Sequence, residues 1–261
     1  MNKDKKAFTL VELLVVISII ALLMAIMMPA LNVVKDRAKA LVCKSNLKQM
    51  GLGVEMYLTN NDDKLPELNT GISWLYVFRP YFENQQYDKK YFDPSKKPNF
   101  RSVRFCPNGT LPPGTSASNS YWIAGAYGDV DAPTSSSYSI NTWILYWSTW
   151  PNATQEKSWG GHRPGKDSDK IPIFADGSWR DSHGDQTVPL NNLEGAYGGA
   201  GSNSSLQTHA LIRHRNGVNV LFMDGSVNHC PIRDMYNLKW NKFFDTTKVF
   251  QDSWWPEWVP Q

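Results

Sequence analysis

The run from Leu13 to Leu31 is nineteen residues long, and Ser18 is its only polar member. At ~1.5 Å of rise per residue a helix of that length is roughly 28 Å, about one hydrocarbon core. A buried helix of a soluble domain is rarely apolar for so long, so the run predicts a membrane span. Lys3, Lys5 and Lys6 precede it. Such lysines stay on the cytoplasmic side, which predicts an inner-membrane protein with a cytoplasmic N-terminus and an exported C-terminal part. A cleaved secretory signal would have a shorter apolar region followed by a small-residue site. Here the run closes with Met27-Met28-Pro29-Ala30 instead. A plain signal anchor is the rival reading, and Glu12 argues against it. A carboxylate costs ~2.5 kcal/mol or more near mid-membrane. An anchor gains nothing from that cost, whereas a carboxylate with a charge partner does.

Past the run the helical pattern continues. Apolar Val33, Val34, Ala38, Leu41, Val42, Leu47, Met50, Leu52, Val54 and Met56 alternate with charged Lys35, Asp36, Arg37 and Lys39. The spacing predicts one helix from about Thr9 to Leu58, bent near Pro29. Gly51 and Gly53 weaken it by ~1 kcal/mol each. The remainder is rich in Gly, Pro, Ser and Asn, so the overall 41% apolar content averages a membrane segment with a wet domain. The formal charge is +3, falling to +1 without residues 1–7. Nucleic-acid binding calls for a strongly basic face, so no nucleic-acid partner is expected.

The segment Lys5-Lys6-Ala7-Phe8-Thr9-Leu10-Val11-Glu12-Leu13 resembles the prepilin cleavage and methylation motif of type IV pilins and type II secretion pseudopilins. The resemblance implies that a prepilin peptidase cuts between Ala7 and Phe8 and N-methylates Phe8. It implies that Glu12 then neutralises the Phe8 α-amino group of a neighbouring subunit as a filament forms, which supplies the missing charge partner. Ala7 stands where the family usually has Gly. Pro29 stands where pilins often carry a helix-kinking proline. The implied partners are the prepilin peptidase, other pilin or pseudopilin subunits and a secretion or pilus assembly platform.

The head carries a second resemblance. His214, nine residues, then Asp224-Gly225 is similar to a prepilin-associated His-x9-Asp-Gly domain, which implies no role for His214 or Asp224. Phe105-Cys106-Pro107 and Ser137-Tyr138-Ser139-Ile140-Asn141 are similar to phrases of pilin-like proteins. From the residues alone, Val218–Phe222 and Ser226–Cys230 read as a hairpin across Asp224-Gly225. Ile171–Phe174 reads as a short strand with a turn at Asp176-Gly177. Thr110–Gly201 otherwise reads as loop.

Site chemistry is sparse. His162, His183, His209, His214 and His229 with nearby aspartates match no His-Glu-x-x-His, Cys-x-x-Cys or calcium-loop spacing. Asp176, Asp181, Asp185 and Asn191 could supply some of the oxygen ligands that Ca²⁺ needs. Solvated turn aspartates are the preferred reading, and no cofactor is expected. The Trp-rich stretches Trp143–Trp147 with Trp150, and Trp254-Trp255-Pro-Glu-Trp258, suit a small aromatic core better than a sugar platform. An exported head permits a disulfide. Cys43 sits late in the helix and Cys106 opens a possible strand. Cys106 lies in one of the phrases above, and Cys43 opens another, Cys43-Lys-Ser-Asn-Leu-Lys-Gln-Met-Gly51, that also resembles pilin-like proteins. On that resemblance Cys43–Cys106 is the preferred pair, with Cys230 free.

The expected fold is α+β: a long N-terminal helix packed on a small antiparallel sheet with long loops. The expected organisation is a leader at 1–7, a transmembrane and assembly helix at 8–31, and the periplasmic half of the helix at 32–58. A head at 59–261 follows, with the His-x9-Asp-Gly region at 209–231. The expected activity is assembly rather than catalysis. The alternative is a membrane-anchored carbohydrate-binding protein that merely uses such an export signal.

Overall fold

The computed structural model describes residues 9–67, 74–82, 103–109, 136–146, 152–177, 181–182, 184, 206, 213–251 and 254–255. It divides into two compact units, Met1–Lys39 and Ala40–Gln261, and the division falls inside one helix. That helix, α1, runs over Leu10–Asn60, within two residues of the expected span at each end. It continues through Pro29 without interruption. It is long and apolar enough to cross a membrane. Every residue from Leu10 to Ala38 is exposed.

In the second unit the helix changes character. Cys43, Leu47, Met50, Val54 and Leu58 are all fully buried. Their three- and four-residue spacing puts them on one face. Gly51 and Gly53, costly to a helix, bring it close to its neighbours. A Cβ at Gly51 would lie 2.9 Å from Cδ1 of Leu221, and one at Gly53 would lie 3.1 Å from Cδ1 of Phe82. The helix ends at Asp62 and Asp63, both in the left-handed region, and the Asp63 amide donates to the Leu58 carbonyl.

The other elements of this unit are helices α2 (Trp74–Phe82) and α3 (Asn152–Lys157) and strands β1 (Tyr138–Asn141), β2 (Pro172–Asp176), β3 (Asp181–Ser182), β4 (Gly217–Phe222) and β5 (Val227–Pro231). One five-stranded sheet has the order β3-β1-β2-β4-β5. All pairings are antiparallel except β1 with the two-residue β3, which is parallel. The expected α+β architecture is thus present, with one short parallel edge added.

The sheet is covered on both faces. Tyr138, Ile140, Phe174 and Leu221 join the buried residues of α1 and α2 in one core. Val218, Val220 and Phe222 point to the other face, where they join Trp143, Met235, Tyr236 and Trp240. A bulge between Pro172 and Phe174 turns both Ile173 and Phe174 toward the helix side. The segment otherwise read as loop therefore contains β1, α3 and β3, while the strand expected at Ile171–Phe174 is present as β2. Strand β1 is buried at all four positions, and its apolar–polar alternation, Tyr-Ser-Ile-Asn, is only four residues long.

Candidate functional site

Two places concentrate polar chemistry. The first is the start of α1. Thr9 and Glu12 cap it reciprocally: the Thr9 amide and Oγ1 donate to Glu12 Oε2 at 2.8 and 2.7 Å, and the Glu12 amide donates to Thr9 Oγ1 at 3.2 Å. This is a capping box, and its signal in the sequence is Thr-x-x-Glu directly before an apolar run. Glu12 thus has a local partner within its own helix. Ala7 and Phe8, the expected cleavage and methylation site, lie outside the described residues.

The second place is inside the head, on the helix side of the sheet. Four segments bring Cys43, Cys106, Asp176 and His214 together. Cys43 comes from the buried face of α1, and Asp176 ends β2 on the same side as Phe174. His214 precedes β4, anchored by its amide donating to the Gly217 carbonyl. Cys106 was expected to open a strand but lies in an irregular segment, 103–109, held by its amide donating to Ser137 Oγ. One ligand atom from each of the four residues lies within 4.8 Å of the others.

The contacts are specific. Cys43 Sγ lies 3.6 and 3.7 Å from the two Asp176 oxygens. Cys106 Sγ is 3.2 Å from His214 Nε2. The same nitrogen is 3.2 Å from Asp176 Oδ2. Around them, the Asn219 amide donates to Asp176 Oδ2 at 2.8 Å and Tyr138 Oη donates to Cys43 Sγ at 3.3 Å. Arg213 reaches Asp176 Oδ1 at 3.5 Å, the Gly177 carbonyl at 3.0 Å and the Ser137 carbonyl. Every one of the four central residues is buried.

Electrostatics follow from that burial. Desolvation would raise the Asp176 carboxyl, but the His214 hydrogen bond, the His214 and Arg213 charges and the Asn219 amide hold it below its ordinary value. Desolvation would lower His214, yet Asp176 and Cys106 raise it to about 9. Cys43 is pushed well up by burial, by its hydrogen bond with Cys106 and by the Asp176 charge. Burial also opposes ionisation of Cys106, but hydrogen bonds with Cys43 and His214 and the Arg213 charge bring it down to about 7. Cys230 lies apart, its thiol pushed by burial up to about 12.

Several expectations meet the structure here. Cys43 and Cys106 do come together, but as free thiols within a four-residue cluster rather than as the expected disulfide. Asp176, read by preference as a solvated turn aspartate and otherwise as a candidate calcium ligand, is instead buried beside two sulfurs and an imidazole, which suit soft cations rather than calcium. Asp181 lies in β3, and Asp185 and Asn191 fall outside the described residues, as do His183 and His209. His162 is exposed in a loop. His214 and Asp224 sit at opposite ends of β4, so their spacing measures one strand and its turn. Asp224 accepts from the Ser226 amide at 2.8 Å, and Gly225 has φ 79°. Trp143 is buried and Trp254 and Trp255 pack around Tyr236 and Phe250; Trp147, Trp150 and Trp258 lie outside the described residues.

Residues 2–28 match the model of the prokaryotic N-terminal methylation motif. The N-terminus of this chain is therefore of the prepilin type. Such a motif implies processing by prepilin peptidase and assembly with pilin subunits. No curated protein and no solved structure matches the chain.

Proposed function

We propose that this chain is a structural subunit of a type IV pilus-like filament or a type II secretion pseudopilus. Prepilin peptidase cuts it between Ala7 and Phe8 and methylates Phe8, and the subunit then assembles through α1 while its head stays on the periplasmic side.

One observation carries this reading. The large apolar side chains of α1 from Leu10 to Leu31 are all exposed, from Val16 at 46% to Leu10 at 82%, with Glu12 among them. A surface of that kind needs lipid or other helices of the same kind around it. Lipid satisfies the side chains but not the carboxylate. A stack of like helices offers both an apolar environment and the terminal amine of a neighbour.

The capping box sharpens the experiment, because Glu12 has a local role that would exist without any filament. Glu12→Ala is expected to be processed normally and to be lost from sheared or secreted filaments. Thr9→Ala removes the local cap, worth about 1 kcal/mol, but leaves the carboxylate. It is expected to assemble. If both variants fail alike, Glu12 serves its own helix and the assembly role falls. Mass spectrometry of the mature N-terminus is expected to find N-methyl-Phe8; an intact leader on the native protein would overturn the reading at its first step.

A further inference from the structure

We propose that Cys43, Cys106, Asp176 and His214 form a closed four-coordinate site for a zinc-class divalent cation in the head. The inference is independent of filament assembly and would stand for an unassembled protein.

Geometry comes first. Zinc takes thiolate sulfur at about 2.3 Å and imidazole nitrogen or carboxylate oxygen at about 2.0–2.2 Å, which gives a tetrahedron with edges of about 3.4–3.8 Å. The cluster already has edges of 3.7 Å between Cys43 Sγ and Asp176 Oδ2, 3.2 Å between Cys106 Sγ and His214 Nε2, and 3.2 Å between His214 Nε2 and Asp176 Oδ2. Adjustments of up to about 1 Å complete the tetrahedron. No ligand pair exceeds 4.8 Å.

The donor set selects the ion. Two sulfurs and an imidazole suit zinc and its soft neighbours, and exclude magnesium and calcium. Four protein ligands leave no open position, so the role is structural rather than catalytic. On binding, the cation displaces the two thiol protons and the proton on His214 Nε2, and no electron moves.

The surroundings fit a bound cation. Two thiolates, one carboxylate and a dication sum to one negative charge, which Arg213 cancels from 3.5 Å. Tyr138 Oη donates to Cys43 Sγ and the Asn219 amide donates to Asp176 Oδ2, the kind of outer contacts that orient metal ligands. The four ligands come from the helix, the 103–109 segment, β2 and the approach to β4. One ion would therefore bind helix, loop and sheet together.

The test uses the full chain in detergent, purified under reducing conditions without chelator. Elemental analysis is expected to find about one zinc per chain. Cobalt titration of the chelated protein is expected to give the intense visible absorption of a tetrahedral ion with a thiolate-to-cobalt charge-transfer band. His214→Gln and Cys106→Ser are expected to abolish that spectrum, whereas Cys230→Ser keeps it. Tyr138→Phe leaves all four ligands and is expected to weaken affinity about tenfold. Wild-type protein with reduced thiols that takes up neither zinc nor cobalt would overturn the proposal without any variant having to fold. So would a Cys43–Cys106 disulfide in protein taken from its native compartment, or a cobalt spectrum that survives His214→Gln.

Discussion

His214 and Asp176 meet at 3.2 Å, Nε2 to Oδ2, with both side chains buried. The pair makes the stability of the metal-free head depend on pH from two sides. His214 is raised to about 9 in the folded chain, so its contribution is complete below its unfolded value of about 6.5 and disappears as pH rises through 9. Asp176 is lowered, so its contribution is present above about pH 4 and is lost as pH falls below that. Cys106, lowered to about 7, contributes in the opposite sense between about pH 7 and 9. The pair is therefore read in chelated Cys106→Ser protein, which is expected to be most stable between about pH 4 and 6.5 and to lose stability as pH rises beyond that. Denaturant midpoints followed by tryptophan fluorescence across that range would check it; a profile flat from pH 6 to 10 would count against the pair.

Removing the two partners should not be equivalent. Asp176→Ala leaves the Arg213 and His214 charges facing each other in a buried site, which costs about 3–5 kcal/mol. His214→Ala leaves Asp176 with Arg213 and the Asn219 amide still in place, so a smaller loss is expected. Thermal unfolding of both variants with chelator present would order them, and the reverse order would mean that the carboxylate draws its compensation elsewhere.

Two glycines offer a contrast. A Cβ on Gly177 would lie 2.0 Å from Ser139 Oγ and 3.2 Å from the Ser139 amide nitrogen. Gly177 also presents its carbonyl to Arg213. Gly177→Ala is expected to cost about 1–3 kcal/mol. At Gly51 the obstacle is the tip of the Leu221 side chain, which can turn, and alanine regains about 1 kcal/mol of helix propensity. Gly51→Ala is therefore expected to be near neutral. Equal losses at the two positions would show that Leu221 is locked.

Trp255 tests the aromatic surface. Its ring lies 5.3 Å edge-to-face from Tyr236 and 6.1 Å from Phe250, with the Arg233 guanidinium 5.3 Å from its centroid. Trp255→Ala is expected to cost about 1–3 kcal/mol in stability. A glycan array is expected to give the same result for wild type and variant. Specific glycan binding lost in the variant would revive the carbohydrate reading.

The helix and the late hairpin were the most legible parts of this sequence. Their signals are local: an apolar run, a stripe at helical spacing, and a glycine that accepts positive φ after Asp224. Strand β1 was not legible, since the alternation of Tyr138-Ser139-Ile140-Asn141 lasts only four residues and its polar members are buried rather than facing water. Glycine was misleading inside α1, where Gly51 weakens the helix and its value lies in the approach to Leu221, a contact across the fold. The cluster was legible only in fragments. Cys43 and Cys106 read as a disulfide, Asp176 as a turn aspartate, and His214 as half of a motif with Asp224. What joins them is the sheet order, which places β2 beside β4, and no spacing along the chain encodes that adjacency.

Cys43 and Asp176 are 133 residues apart in sequence, and Cys106 and His214 are 108 apart. Their contact is consequently among the last that a growing or freshly exported chain can complete. A thiol reagent that reaches Cys43 would therefore report on the whole head at once, since that sulfur is shielded only after helix, loop and both strands have docked.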